Sequence, residues 1–97
     1  MNVICSRSII GVFCTVDGQL VTVGDSLAYV KHSPDGFEMG YSGAGPAQLA
    51  FAILLHARGH EFALEHYQAF KEDFVAQWHS DEINVRVDLD TWLQNRK

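Results

Sequence analysis

Residues 37–58 read FEMGYSGAGPAQLAFAILLHAR, and the fold is predicted from this stretch outward. In its second half the only polar side chains before the closing arginine are Gln48 and His56. A helix that lacks a polar face is normally covered on more than one side, so this one should lie at the centre of the molecule. Pro46 suits the first helical position and Gly45 the N-cap, which places the start of the helix at Pro46.

A second helix is predicted from about Glu61 to Trp78, after a break at Gly59. At about 100° per residue, one stripe of this helix is apolar or aromatic and should pack on the first helix. The stripe consists of Ala63, Tyr67, Phe70, Phe74 and Trp78. The opposite side carries Glu61, Glu65 and Glu72, with Gln68 among them.

The segments before the central helix are rich in β-branched residues. Asp17-Gly18 is a strong signal for a two-residue turn, and it predicts a hairpin of about residues 9–16 and 19–24. Residues 26–31 fit either a short strand or a single turn, and the sequence leaves both open.

The segments on either side of the two helices also have recognisable patterns. Residues 33–36 (SPDG) have the composition of a turn, and residues 37–41 have the pattern of a strand that leads into the central helix. Near the C-terminus, apolar and polar residues alternate over residues 83–88, as in a half-buried strand. Asp90 can cap a last helical turn that contains Trp92.

The predicted fold class is α+β: a small, largely antiparallel sheet of three to four strands, packed with two main helices. A chain of 97 residues with 47% hydrophobic and 20% charged residues fits a single domain over residues 1–97. The sequence has no apolar run long enough to span a bilayer, no signal-peptide pattern and no disulfide framework. We therefore expect a cytoplasmic protein with no membrane contact, in which Cys5 and Cys14 are small buried strand residues.

The net charge of −5 is concentrated in the second part of the chain. Residues 1–58 hold three basic and four acidic residues, whereas residues 59–97 hold four basic and eight acidic ones. Direct binding to nucleic acid needs a basic face, which this balance does not provide. An acidic face is suited instead to compete with nucleic acid for a basic groove on another protein.

Three motifs invite chemical interpretations. The glycine-rich turn Gly40–Pro46 precedes a helix, where free N–H groups attract anions, but a tight turn explains its glycines without a ligand. Ser42 resembles half of a nucleophile elbow, yet the chain is too short for the sheet that an elbow needs, and a capping hydroxyl explains it better. His56 and His60 have a spacing that suits metal ligands, but Gly59 should end the helix between them. We therefore predict no catalytic residue, no metal and no cofactor.

The acidic residues are the remaining candidates for function. At about 1.5 Å per residue, the row from Glu61 to Glu72 spans roughly 16 Å, which allows it to imitate part of a DNA backbone. A soluble helix with no function also presents a charged face, so this alternative stays open. The candidate partner-binding residues are Glu61, Glu65, Glu72, Asp73, Asp81 and Glu82.

The stretch GFEMGYSGAGPAQLAFAILL, followed by ALEHYQAFKEDFVA, resembles a family of small uncharacterised proteins of bacteria, archaea and their viruses. The pattern GY-x-G-x-GPAQLA carries the resemblance, which covers about residues 33–77. Small acidic members from mobile elements look like phage anti-defence proteins, and this chain is similar to type I-F anti-CRISPR proteins. The family brings no established catalytic residues to this chain.

The resemblance implies an inhibitor of a multi-subunit CRISPR surveillance complex of type I-F. Such a protein would act as a monomer in the cytoplasm of the host bacterium, occupying the basic channel meant for target DNA as an acidic DNA mimic. It would make no direct contact with nucleic acid. Two other classes stay open: a small enzyme or anion- or nucleotide-binding domain that uses the turn Gly40–Pro46, and a plain interaction module that uses exposed aromatics such as Trp92.

Overall fold

A computed structural model describes residues 1–32 and 36–96 of the chain. The strands in this part are β1 (Asn2–Ser8), β2 (Gly11–Val16), β3 (Gln19–Val21) and β4 (Glu82–Arg86). They form one antiparallel sheet in the order β3-β2-β1-β4. Most of the turn predicted at residues 33–36 falls on residues 33–35, outside the described part.

The helices are α1 (Val23–Leu27), α2 (Ala44–Arg58), α3 (His60–Asp73) and α4 (Leu89–Gln94). The two long helices pack against each other, and α2 is buried along most of its length, between the sheet and α3. This arrangement confirms the predicted α+β class and the central position of α2. In the described residues no helix has the length and apolar character needed to cross a membrane.

Helix α2 begins two residues earlier than the sequence suggested. Its N-cap is Gly43, so Gly45 lies inside the first turn and Pro46 at the third helical position. Proline is tolerated there because the first four N–H groups of a helix have no partner within it. The predicted break at Gly59 is confirmed: its φ of 88° ends α2, and α3 starts at the next residue.

Helix α3 ends at Asp73, five residues before the predicted end at Trp78. The backbone leaves the helical region at Phe74 and continues as a 3₁₀ turn over Val75–Gln77. The carbonyl of Val75 accepts the N–H of Trp78 at 3.2 Å, as this tighter turn requires. The predicted stripe is nevertheless buried or half-buried over its whole length.

The hairpin at Asp17-Gly18 is confirmed. Both residues have positive φ, 51° and 84°, as a primed two-residue turn requires. The predicted bounds differ, because residues 9–10 form the turn of an earlier hairpin and β2 starts only at Gly11.

The strand expected over residues 19–24 ends at Val21, because a helix begins there. The hydroxyl of Thr22 accepts the N–H of Asp25 at 3.2 Å and caps α1. Residues 26–31 are therefore neither a strand nor a lone turn: they begin as the end of α1 and continue as a turn.

Residues 37–41 do not form the predicted strand. Phe37 and Met39 are buried and Glu38 between them is partly exposed, as in a strand, whereas Tyr41 is exposed. The backbone pairs with no described strand: the N–H of Gly40 donates to Val75 at 2.9 Å, and the carbonyl of Met39 accepts from Arg7 at 2.8 Å. Alternation indicates which side chains are buried and does not establish a ladder of hydrogen bonds.

The C-terminal elements follow the prediction except for the cap. Strand β4 begins one residue before the expected alternation of residues 83–88, ends two residues before its end, and pairs with β1. The cap of α4 is Asp88, whose carboxylate accepts the N–H of Thr91 at 3.1 Å, and not Asp90. Backbone hydrogen bonds, first that from Thr91, lower the pKa of Asp88.

Candidate partner-binding surface

Helix α3 carries three of the predicted acidic residues on its outer face. Glu61, Glu65 and Glu72 are all exposed, and the other side of the helix buries Ala63 and Phe70. The packing of α3 on α2 fixes the backbone, so the three carboxylates are carried on a rigid support roughly 16 Å long. The structure thus brings these three residues together as the sequence predicted, and we call them the acidic row.

The first two residues of the acidic row are available to a partner. Glu61 has no ion pair in the described part of the chain, and Glu65 has only the adjacent His66, whose Nε2 lies 3.5 Å from its carboxylate. The side chain of Glu65 is 76% exposed. Their charge is therefore not cancelled by a cation of the protein, unless His66 is protonated.

Glu72 is held in place by its own protein. The hydroxyl of Ser42 donates to its carboxylate at 2.5 Å, and the ammonium of Lys71 lies 3.1 Å away. The bond from Ser42, supported by Lys71, lowers the pKa of Glu72. Ser42 is accordingly not the capping residue that the sequence suggested, because α2 is capped by Gly43 without a side-chain bond.

Asp73 points away from the acidic row. Its carboxylate accepts the indole N–H of Trp92 at 2.8 Å and also bonds Arg96. Burial alone would raise the pKa of Asp73, but these two bonds outweigh it and lower the pKa. Trp92 is buried against the rings of Phe70 and Phe74, so it is not the exposed aromatic that an interaction module would use.

Asp81 and Glu82 belong to the sheet end of the molecule. Asp81 pairs with Arg7 at 3.2 Å, and this bond, together with Glu38, raises the pKa of Arg7. Glu82 lies on β4 and accepts the hydroxyl of Ser6 at 2.6 Å. Neither residue joins the acidic row on α3, and the charge of Asp81 is partly neutralised.

One residue of the outer α3 face was missed by the sequence-based reasoning. Leu64 is 48% exposed, and it lies one helical turn from both Glu61 and Gln68. Its only sequence signal was that it falls outside the apolar stripe of α3. An exposed leucine among carboxylates gives this face an apolar contact point as well as charge.

The glycines of the turn Gly40–Pro46 are required by the packing. Gly40 has a φ of 89°, and a Cβ there would lie 2.9 Å from the carbonyl oxygen of Trp78. A Cβ at Gly45 would lie 2.6 Å from the Cβ of Glu38. These contacts explain the glycine pattern through close backbone approach, without a ligand.

The same turn is poorly suited to an anion. The carboxylate of Glu72 is bonded to Ser42 of this turn, and the side chain of Glu38 packs against Gly45 in the first turn of α2. Lys71 and Arg7 pair with these two carboxylates, so the repulsion of a phosphate is small, but the hydroxyl of Ser42 is already donated to Glu72 and is not free for a ligand. The arrangement therefore disfavours the anion- or nucleotide-binding alternative.

The glutamine of the GPAQLA pattern also has a structural role. Gln48 is fully buried in α2 and donates to the hydroxyl of Ser26 at 2.7 Å and to the carbonyl of Val30 at 3.1 Å. Its carbonyl oxygen accepts the N–H of His32 at 2.7 Å. These bonds attach the segment after α1 to the central helix.

The remaining chemical candidates do not assemble into a site. Within the described residues no group of three or more His, Cys, Asp or Glu side chains is arranged to hold a metal ion. Cys5 and Cys14 are buried opposite each other on β1 and β2, with their sulfur atoms 2.7 Å apart. The hydrogen bond from Cys5, together with burial, raises the pKa of the Cys14 thiol, which makes it a poor nucleophile.

Comparison with known proteins gives a family but no function. The sequence model of a family described as "Family of unknown function (DUF6166)" matches residues 5–95. No curated protein and no solved structure matches the chain. The matched range contains the glycine-rich turn, the buried glutamine and the acidic row.

Proposed function

We propose that this chain, which belongs to the DUF6166 family of unknown function, binds a basic surface of a larger partner through the outer face of α3. The observation that carries the proposal is the acidic row, in which Glu61 and Glu65 are exposed and have no strong partner in the part of the chain that the structure describes. Leu64 lies among them and supplies apolar contact area. A few apolar contacts surrounded by charge are typical of protein interfaces.

The proposed partner is the type I-F RNA-guided surveillance complex. The similarity of this chain to type I-F anti-CRISPR proteins supports this choice, and so does the net charge of −5. The protein would occupy the basic channel that receives target DNA, in the cytoplasm of the host bacterium, and would exclude the DNA without contacting it. Charge attraction would accelerate association and would weaken as salt is added.

The proposal assigns the protein to binding and not to catalysis. The turn Gly40–Pro46, which was the alternative ligand site, is explained by close packing and has carboxylates beside it. The alternative of an interaction module acting through Trp92 is not supported, since Trp92 is buried. The outer face of α3 is therefore the surface on which the proposal rests.

A matched pair of charge reversals tests the proposal. Glu65→Lys removes a carboxylate of the acidic row, and Asp25→Lys changes the net charge equally on α1, where the side chain is also exposed. We expect Glu65→Lys to weaken binding to the guide-loaded complex at least tenfold, about 1.4 kcal/mol, and Asp25→Lys to leave it nearly unchanged. Glu61→Lys should behave like Glu65→Lys.

The possible outcomes separate three explanations. Equal losses for Glu65→Lys and Asp25→Lys would indicate attraction by net charge, without a defined face. Full binding by both Glu61→Lys and Glu65→Lys would refute the acidic row. Thermal unfolding of each variant is the control: Glu65→Lys should shift stability by less than about 0.5 kcal/mol. Asp25→Lys and Glu61→Lys, each in the first turn of its helix, should lose up to about 1 kcal/mol.

A further inference from the structure

The sheet face that points away from the core is apolar, and no other element of the described chain covers it. Ile4 on β1, Phe13 on β2 and Leu20 on β3 are 41%, 48% and 59% exposed. The strand register places Thr15 opposite both Ile4 and Leu20, so these side chains share one face and are close neighbours. We call this surface the outer sheet face.

The hairpin between β1 and β2 carries two further exposed apolar side chains at its tip, beyond the outer sheet face. Its two turn residues, Ile9 and Ile10, are 104% and 79% exposed. Taking roughly 200 Å² for a large apolar side chain, the three strand residues of the outer sheet face expose about 300 Å² in total. The largest apolar patch of a typical monomer is about 300–600 Å² and often has a function, so the outer sheet face lies at the lower end of that range.

Strand β4 adds unpaired charges of opposite sign to the same face. Glu82 and Arg86 are exposed, and they stand opposite Ser6 and Asn2 of β1 on the outer side. Neither forms an ion pair within residues 1–32 and 36–96. They lie four residues apart on one strand, about 13 Å.

We propose that a second copy of this chain covers the outer sheet face. The two-fold axis would run perpendicular to the strands at the level of Ile4. It would place β4 of one copy antiparallel over β4 of the other, so that Glu82 of each copy meets Arg86 of the other. Such an interface is self-complementary in charge and apolar at its centre, as a symmetric dimer requires. Around this apolar centre, Thr15, Asn84 and the charged pair extend the interface toward the roughly 800 Å² per partner of a stable complex.

The charge of the protein favours a second copy over a lipid surface. A net charge of −5 is repelled by the anionic lipids of a cytoplasmic leaflet. The dimer uses a different surface from the α3 face, so it goes beyond the proposed function and replaces the expectation of a monomer. Each proposal can fail without the other.

Sedimentation equilibrium of the full chain, from micromolar to about 200 μM, tests the dimer. We expect twice the monomer mass of 10.8 kDa for the natural sequence. Ile4→Lys and Phe13→Lys should each give monomers, while Leu64→Lys, which alters an equally exposed apolar residue on α3, should remain dimeric. Circular dichroism checks that each variant folds. If one of the two sheet variants fails to fold, the other still tests the proposal.

The charged pair gives an independent check. Glu82→Arg and Arg86→Glu should each weaken dimerisation at least tenfold, because each leaves like charges facing across the axis, and the double variant should restore it. A natural chain that stays monomeric throughout the range would overturn the proposal. So would a dimer that is insensitive to the sheet variants, or a monomer that instead binds neutral phosphatidylcholine vesicles through this face.

Discussion

Gln48 links the central helix α2 to the segment that follows α1, and its replacement tests how this segment is held. The hydrogen bonds of its amide include those to the hydroxyl of Ser26, the carbonyl of Val30 and the N–H of His32. Gln48→Leu keeps much of the side-chain volume and removes all three bonds. The variant therefore measures mainly the contribution of these hydrogen bonds to the stability of the fold.

The expected cost follows from the burial of the three abandoned groups. A buried donor or acceptor without a partner costs about 1–3 kcal/mol. Ser26 is buried, but its hydroxyl still donates to the carbonyl of Val23 at 2.8 Å, so the loss of the bond from Gln48 should cost an amount near the lower end of that range. The groups of Val30 and His32 are partly accessible and can be rehydrated in part. We expect Gln48→Leu to lose about 2–4 kcal/mol, which lowers the Tm of a domain of this size by roughly 10–30 °C.

Thermal and urea denaturation followed by circular dichroism provide the assay. The matched control is Gln68→Leu, the same substitution at an exposed position of α3. It should stay within about 0.5 kcal/mol of the natural sequence. A loss of less than about 1 kcal/mol for Gln48→Leu would show that these bonds do not hold the segment after α1 on the central helix.

Three further predictions concern separate parts of the fold. Gly45→Ala should lose about 1–3 kcal/mol of stability, because the added Cβ overpacks against Glu38. Gly24→Ala has open space around the added Cβ and should cost no stability. Equal urea midpoints for the two variants would contradict this. Because the indole and guanidinium that bond Asp73 lower its pKa, its stabilisation is present above the unfolded pKa of about 3.9 and is lost as the pH falls through and below that value. Asp73→Asn should therefore flatten the acid limb of the stability curve, and an unchanged limb would refute the link. Cys5 and Cys14, both buried, should react with a disulfide reagent at pH 8 only after unfolding in guanidinium, and rapid reaction of the native protein would refute their burial.

Local signals predicted part of the fold well. Asp17-Gly18 specified its hairpin because both residues tolerate the positive φ that the turn needs, whatever the rest of the chain does. Gly59 ended α2 for a related reason. The length of the apolar run before it was enough to place α2 at the centre.

The errors arose where distant contacts decide the outcome. The bend after Phe74 and the extended segment at residues 37–41 depend on one another through the bond between Gly40 and Val75, which are 35 positions apart. Neither segment contains a local signal for that contact. Asp88 and Asp90 are both good capping residues, and the local sequence does not choose between them.

The candidate site, like the fold, was predicted only in part from the sequence. Helical periodicity alone grouped Glu61, Glu65 and Glu72 on one face of α3. It could not show that Asp73 is bonded by Arg96 or that Asp81 is paired with Arg7 across the sheet. Those partners are distant in sequence, so the free charge of the surface becomes visible only in the folded chain.

The most direct test of the central claim is a competition for the type I-F surveillance complex loaded with its guide RNA. The complex would be incubated with this protein before labelled target DNA is added, and DNA binding would be measured at two salt concentrations. The account predicts that the protein blocks DNA binding, that higher salt weakens the block, and that Glu65→Lys relieves it while Asp25→Lys does not. Undiminished DNA binding in the presence of saturating natural protein would contradict it.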